Sequence, residues 1–114
     1  MTKERIIYFD CFSGISGDMI LGALVDLGVD LKTIRKSLGA LALKGYRIKS
    51  RRVKRGGISA TKIDVEVESS SKKHQHRSRS FTDIKDLIEK SALTSKIKKD
   101  SIEIFRRIGK VEAQ

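Results

Sequence analysis

The sequence predicts an α/β (α+β) fold, a two-layer sandwich in the order β-αα-ββ-αα with helices on one face of a small sheet. Three observations carry this. A short apolar run, Ile6-Ile7-Tyr8-Phe9, breaks at Asp10 and leads through a glycine-rich turn into a helical pattern. Two cationic and apolar segments flank the pair Gly56-Gly57, as the arms of a hairpin do. Two further helical patterns then follow a stretch poor in apolar residues.

Taken in order, Arg5 to Phe9 reads as a buried strand, short and rich in β-branched and aromatic side chains. Residues 10–17 are the loop after it. From Gly17 to Leu27 the apolar positions 20, 21, 24, 25 and 27 form a helical face, and Gly28 stops it. Asp30 caps a second helix with Leu31, Ile34, Leu38 and Leu41 inward. Residues 46–55 and 58–68 are the hairpin arms. In the second, Ile63, Val65 and Val67 alternate with Lys62, Asp64, Glu66 and Glu68, the period of a half-buried strand. In the first, Tyr46 and Ile48 share a face but Val53 falls on the other, which a bulge would reconcile. Residues 69–80, SSSKKHQHRSRS, read as a flexible basic loop. Ser80 or Thr82 opens a short helix carrying Ile84, Leu87 and Ile88. Thr94 or Ser95 opens a C-terminal helix over 95–112, with Ile97, Ile104, Phe105, Ile108 and Val111 along one stripe.

With 114 residues the chain suits one domain with a modest core, 1–114. The last helix is still amphipathic at Gln114, so a fragment of a longer protein is expected. No apolar run approaches the length of a membrane span, which argues against a membrane partner. The single cysteine excludes an internal disulfide and favours a reducing, cytoplasmic setting. The net charge of +11 is uneven: residues 46–80 hold eleven cations against three acids. Such a patch attracts phosphates, nucleic acid or acidic proteins, or else is a solvated face.

The opening loop, Asp10-Cys11-Phe12-Ser13-Gly14-Ile15-Ser16-Gly17-Asp18, concentrates the chemistry. A helix N-terminus leaves backbone N–H groups without partners and adds partial positive charge, so it suits an anion. Glycines let the backbone approach closely, and Ser13 and Ser16 add hydroxyl donors. Asp10 and Asp18 are able to hold a divalent ion, and Cys11 is a soft ligand or a nucleophile. The plainer reading also stands: Ser16 or Asp18 caps the helix, the glycines make the turn, and Cys11 is a small buried residue. The spacing fits neither common nucleotide-binding glycine fingerprint. His74 and His76, in the basic loop, are a second candidate metal pair, or incidental residues of a solvated loop.

The run YFDCFSGISGDMILGALVDLGVD resembles the N-terminus of the LarC family of nickel insertion proteins. The likeness resumes at GISATKIDVEV (57–67) and at HQHRSRSFTDIKDLIEKSALTSKIKKDSIEIFRRIGKVEA (74–113), so it covers nearly the whole chain. The resemblance implies a cytoplasmic, CTP-dependent nickel chelatase of the lyase class, consumed in a single turnover or nearly so. Its substrate is pyridinium bis-thiocarboxylic acid mononucleotide, and its product is the nickel-pincer cofactor of lactate racemase. Relatives are longer; a C-terminal half binds CTP with Mg or Mn and drives oligomerisation, so a homo-oligomer and a C-terminal partner are implied. The longer histidine run of relatives is reduced here to His74 and His76.

On the matching loop, chemistry then places the phosphate on Ser13, Gly14, Ser16 and Gly17. Asp10, Cys11 and Asp18 are the candidate catalytic and metal residues, joined for metal by His74 and His76. Two rival readings have different signatures. A nucleic-acid-binding module would use Arg47, Lys49, Arg51, Arg52, Lys54, Arg55, Lys72 and Lys73, although Tyr46 is the only aromatic among them. A structural domain without activity of its own would complete a partner chain.

Overall fold

The computed structural model describes residues 3–68 and 79–113. Its elements are α1 (Gly17–Asp26), α2 (Leu31–Gly39), β1 (Tyr46–Arg55), β2 (Ile58–Val67), α3 (Phe81–Glu89) and α4 (Ser95–Glu112). Four helices and one two-stranded antiparallel sheet make the mixed α/β architecture that the sequence predicts.

Local capping chemistry sets the helix starts. Asp30 accepts the Lys32 N–H at 3.1 Å at the head of α2. Ser80 and Asp83 form a reciprocal capping box on α3, each side chain bonding the other's backbone N–H. Thr94 accepts the Ile97 N–H at the start of α4. Gly28, at φ +108°, turns the chain after α1 as expected.

The hairpin closes on Gly56 and Gly57 with φ of +56° and +78°, the pair of positive values that a tight two-residue turn matching the strand twist requires. Register runs unbroken from Tyr46↔Val67 to Arg55↔Ile58. The bulge expected in β1 is therefore absent. Val53 faces away from Ile48 and lies opposite Ala60, where both are half-buried beside α1.

The core is small. Ile34 of α2, Ile48 of β1, Ile63 of β2 and Ile88 of α3 are its buried apolar residues among those described. α1 packs against β2, and α3 against α4. The Ala92 N–H donates to Ala40 O, tying the α3–α4 turn to the end of α2.

The strand expected at the N-terminus needs correction. Residues 5–9 form no strand, and residues 3–10 hydrogen-bond to no other described residue. A strand exists only against a partner, and this segment meets no sheet edge here. Tyr8 is 86% exposed. The apolar stripe expected on α4 lies open: Ile97, Ile104, Phe105, Ile108 and Val111 are all exposed. Most of the expected basic loop, with His74 and His76, lies outside the described residues.

Candidate functional site

The glycine-rich loop runs into α1, and α1 lies along the outer edge of β2. Gly22 makes that approach possible. It is the buried residue of α1, and a Cβ there would stand 2.6 Å from the Thr61 carbonyl oxygen. Four residues on, Asp26 fastens the same contact. Its Oδ2 accepts the Thr61 N–H at 3.1 Å, and its Oδ1 accepts the Thr61 hydroxyl at 2.6 Å. The guanidinium of Arg52 donates to Asp26 Oδ1 at 2.8 Å, to Thr61 Oγ1 at 2.7 Å and to Ser59 Oγ at 3.0 Å. The Thr61 N–H that would otherwise be an open edge donor is thus satisfied by a carboxylate. The Thr61 hydrogen bonds, reinforced by Arg52, hold the Asp26 carboxyl below its ordinary range.

Between α1 and the hairpin lies a cleft of about 530 Å³. Its apolar floor includes Ala23, Val53, Ala60 and Ile63, and its polar rim includes Ser16, Asp18, Arg55 and Lys62. Val53, out of phase on the sequence pattern, lines this cleft. Ser16 is the N-cap residue of α1, but its hydroxyl makes no bond to the helix backbone. It donates instead to Asp18 Oδ1, which also accepts the Met19 N–H at 2.9 Å. The Ser16 hydroxyl, with help from the Met19 N–H and the Lys62 ammonium, lowers the Asp18 pKa. Asp18 is therefore anionic near neutral pH, with a cation nearby.

The predicted residues divide between two places. Ser16, Gly17 and Asp18 sit together at the head of α1, with Ser16 and Asp18 on the cleft. Gly17 has open space around its Cβ position, so a ligand could approach its backbone. Gly14 has φ +82°, a conformation that L side chains rarely adopt, and it turns the chain between Ser13 and Ile15. Asp10, Cys11 and Ser13 are exposed on the stretch that precedes α1. Among the described residues no three His, Cys, Asp or Glu side chains are grouped so as to hold a metal ion. Lys62, Thr61, Asp26 and Gly22 were not singled out from the sequence, and Arg52 and Arg55 only as part of a nucleic-acid surface. Two signals pointed to them: Val53 out of phase, and a second stretch of likeness that begins at Gly57 and contains Thr61 and Lys62.

Residues 7–114 match the model of a protein family described as nickel insertion protein. The chain belongs to that family. Among similar proteins, the pyridinium-3,5-bisthiocarboxylic acid mononucleotide nickel insertion protein of Geobacillus kaustophilus is 44% identical over 96% of this chain and 28% of its own length. The protein of the same name from Desulfitobacterium hafniense is 46% identical over 96% of this chain and 26% of its own. That of Acetivibrio thermocellus is 40% identical over 96% and 28%. The chain thus spans little more than a quarter of the length of these nickel insertion proteins. No solved structure matches it.

Proposed function

We propose that this chain is the N-terminal domain of a nickel insertion protein, and that it holds the pyridinium bis-thiocarboxylic acid mononucleotide while nickel is placed in it. The observation that carries the reading is the junction of the family loop with the cleft. The loop ends at the head of α1, where Lys62 and Arg55 line the same cleft as Ser16 and Asp18. The mononucleotide phosphate would take the Gly17 N–H, the Ser13 and Ser16 hydroxyls and the two cations. The Gly14 turn brings these donors round. The apolar floor suits the flat pyridinium ring.

Nickel is substrate in this reading. Asp10 and Asp18 supply hard oxygen donors and Cys11 a soft sulfur donor. His74 and His76 would supply imidazole donors for its delivery. Asp18 cannot itself welcome a phosphate, because two anions repel, but a divalent ion between them turns that repulsion into bridging. The CTP with Mg or Mn, the lyase step, the cytoplasmic setting and delivery of the product to lactate racemase belong to the whole protein. So does any homo-oligomer. This chain supplies the nucleotide-holding part.

The test is calorimetric titration with a pyridinium mononucleotide, and with inorganic phosphate alone, of the wild type, Gly17→Val and Lys62→Ala. Gly17 has no atom within 4 Å of its Cβ position, so valine leaves the fold intact while crowding the anion. Binding should weaken about tenfold or more in each variant, the scale of one charge-assisted hydrogen bond. Equal binding by all three proteins would make the loop a structural turn.

A further inference from the structure

The segment Ile6–Phe9 is a strand without a sheet. Its residue types are those of a strand, it hydrogen-bonds to no other described residue, and Ile6, Ile7, Tyr8 and Phe9 are all exposed. Both of its faces are apolar, because alternate residues point opposite ways. That pattern belongs to an interior strand covered on both sides. The hairpin of this chain is a poor host. At mid-strand the outer edge of β2 is closed at Thr61 by Asp26. The outer edge of β1 is engaged at Ile48, whose carbonyl accepts from Arg35 at 2.5 Å. A second copy offers the same engaged edges, and its net charge of +11 opposes self-association.

The relatives point to another host, since this chain covers only 28% of the length of the Geobacillus protein. We infer that Ile6–Phe9 docks as a β-strand into a sheet supplied by the rest of the nickel insertion protein, and that this docking fixes Asp10 and Cys11 beside the cleft of α1. Strand addition supplies the missing backbone partners and buries both apolar faces. Asp10 and Cys11 follow the segment directly, so docking limits where they can lie relative to Asp18. The second half of the inference rests on the proposed function; the docking itself does not.

The experiment uses this chain together with a probe of stated origin: the part of the Geobacillus kaustophilus protein beyond the region that matches this chain. Amide hydrogen exchange is followed in the chain alone and in the mixture. Residues 6–9 should exchange freely in the chain alone and slow by about a hundredfold or more in the mixture, as ladder hydrogen bonds form. Tyr8→Pro, which removes a donor, should weaken association about tenfold or more. Ile6→Thr/Tyr8→Thr, which keeps every N–H, should weaken it through lost burial alone. Neither variant touches a packed residue, so thermal unfolding of the chain alone should not change. Protection of residues 6–9 in the isolated chain would overturn the inference. So would a concentration-dependent dimer that protects them, association unchanged in both variants, or no complex at about 100 µM. Phosphate binding by Lys62→Ala is read separately. Its retention sinks the nucleotide reading and leaves the docking standing, whereas loss of docking alone sinks only the strand.

Discussion

Asp26 shows how one side chain fixes a helix to a sheet edge. Its carboxylate joins the Thr61 hydroxyl, the Thr61 N–H and the Arg52 guanidinium, all of which favour the ionised form. The folded-state pKa is therefore lower than that of the unfolded chain. Such a group contributes stability above the unfolded value, near 3.8, and loses it as pH falls through the folded value. Asp18, Asp64 and Glu103 are lowered too, so acid sensitivity is shared among them. Asp26→Asn isolates one share. At pH 6 the variant should melt below the wild type, and the gap should narrow as pH falls below the unfolded value near 3.8. A gap that is constant from pH 6 to pH 2.5 would mean that the contact works through shape and not through charge. None of this was legible beforehand. Asp26 and Thr61 are 35 positions apart, and no local pattern pairs them.

Elements were readable where their signals are local. Asp30, Ser80 with Asp83, and Thr94 cap helices through bonds spanning two or three residues, and all three starts fall where the sequence puts them. Gly56-Gly57 closes the hairpin for the same reason. The missing strand at 5–9 and the absent bulge are failures of another kind. A strand is defined by its partner, and the phase of Val53 had meaning only once α1 lay beside that face of the hairpin. The head of the candidate site, Ser16-Gly17-Asp18, was legible as a loop entering a helix; its cationic wall, Lys62 and Arg55, was not. The contrast between α4 and the sheet can be measured. Ile63 is 1% exposed, so Ile63→Ala should cost about 2–5 kcal/mol and strongly lower the melting temperature. Ile108 is half exposed, so Ile108→Ser should change the stability of this chain by no more than about 0.5 kcal/mol. A large loss at Ile108 would show that the α4 stripe is packed in solution.

At the scale of the whole molecule, charge decides between the nucleotide reading and the nucleic-acid reading. The net charge of +11 suggests a polyanion partner, but the hairpin neutralises much of its own basic face. Arg47 pairs with Glu68 at 3.9 Å, Lys49 with Glu66 at 3.1 Å, Arg51 with Asp64 at 2.9 Å and Arg52 with Asp26 at 2.8 Å. These pairs are exposed and add little stability, yet each places a carboxylate where a backbone phosphate would have to sit. Duplex DNA should therefore bind weakly and without sequence preference, and release near physiological salt. Replacing Glu66 and Glu68 with their amides frees two cations, Lys49 and Arg47, and leaves Asp64, which also pairs with Lys62, in place. Fluorescence anisotropy should then show tighter binding and a log K against log salt slope steeper by about 2, roughly one counterion for each cation freed. Mononucleotide binding should change far less, because Lys62 and Arg55 already face the cleft. Selective binding of one nucleic-acid sequence by the unaltered chain at about 0.3 M salt, where exposed charges are strongly screened, would reverse this order and make the basic hairpin the functional surface.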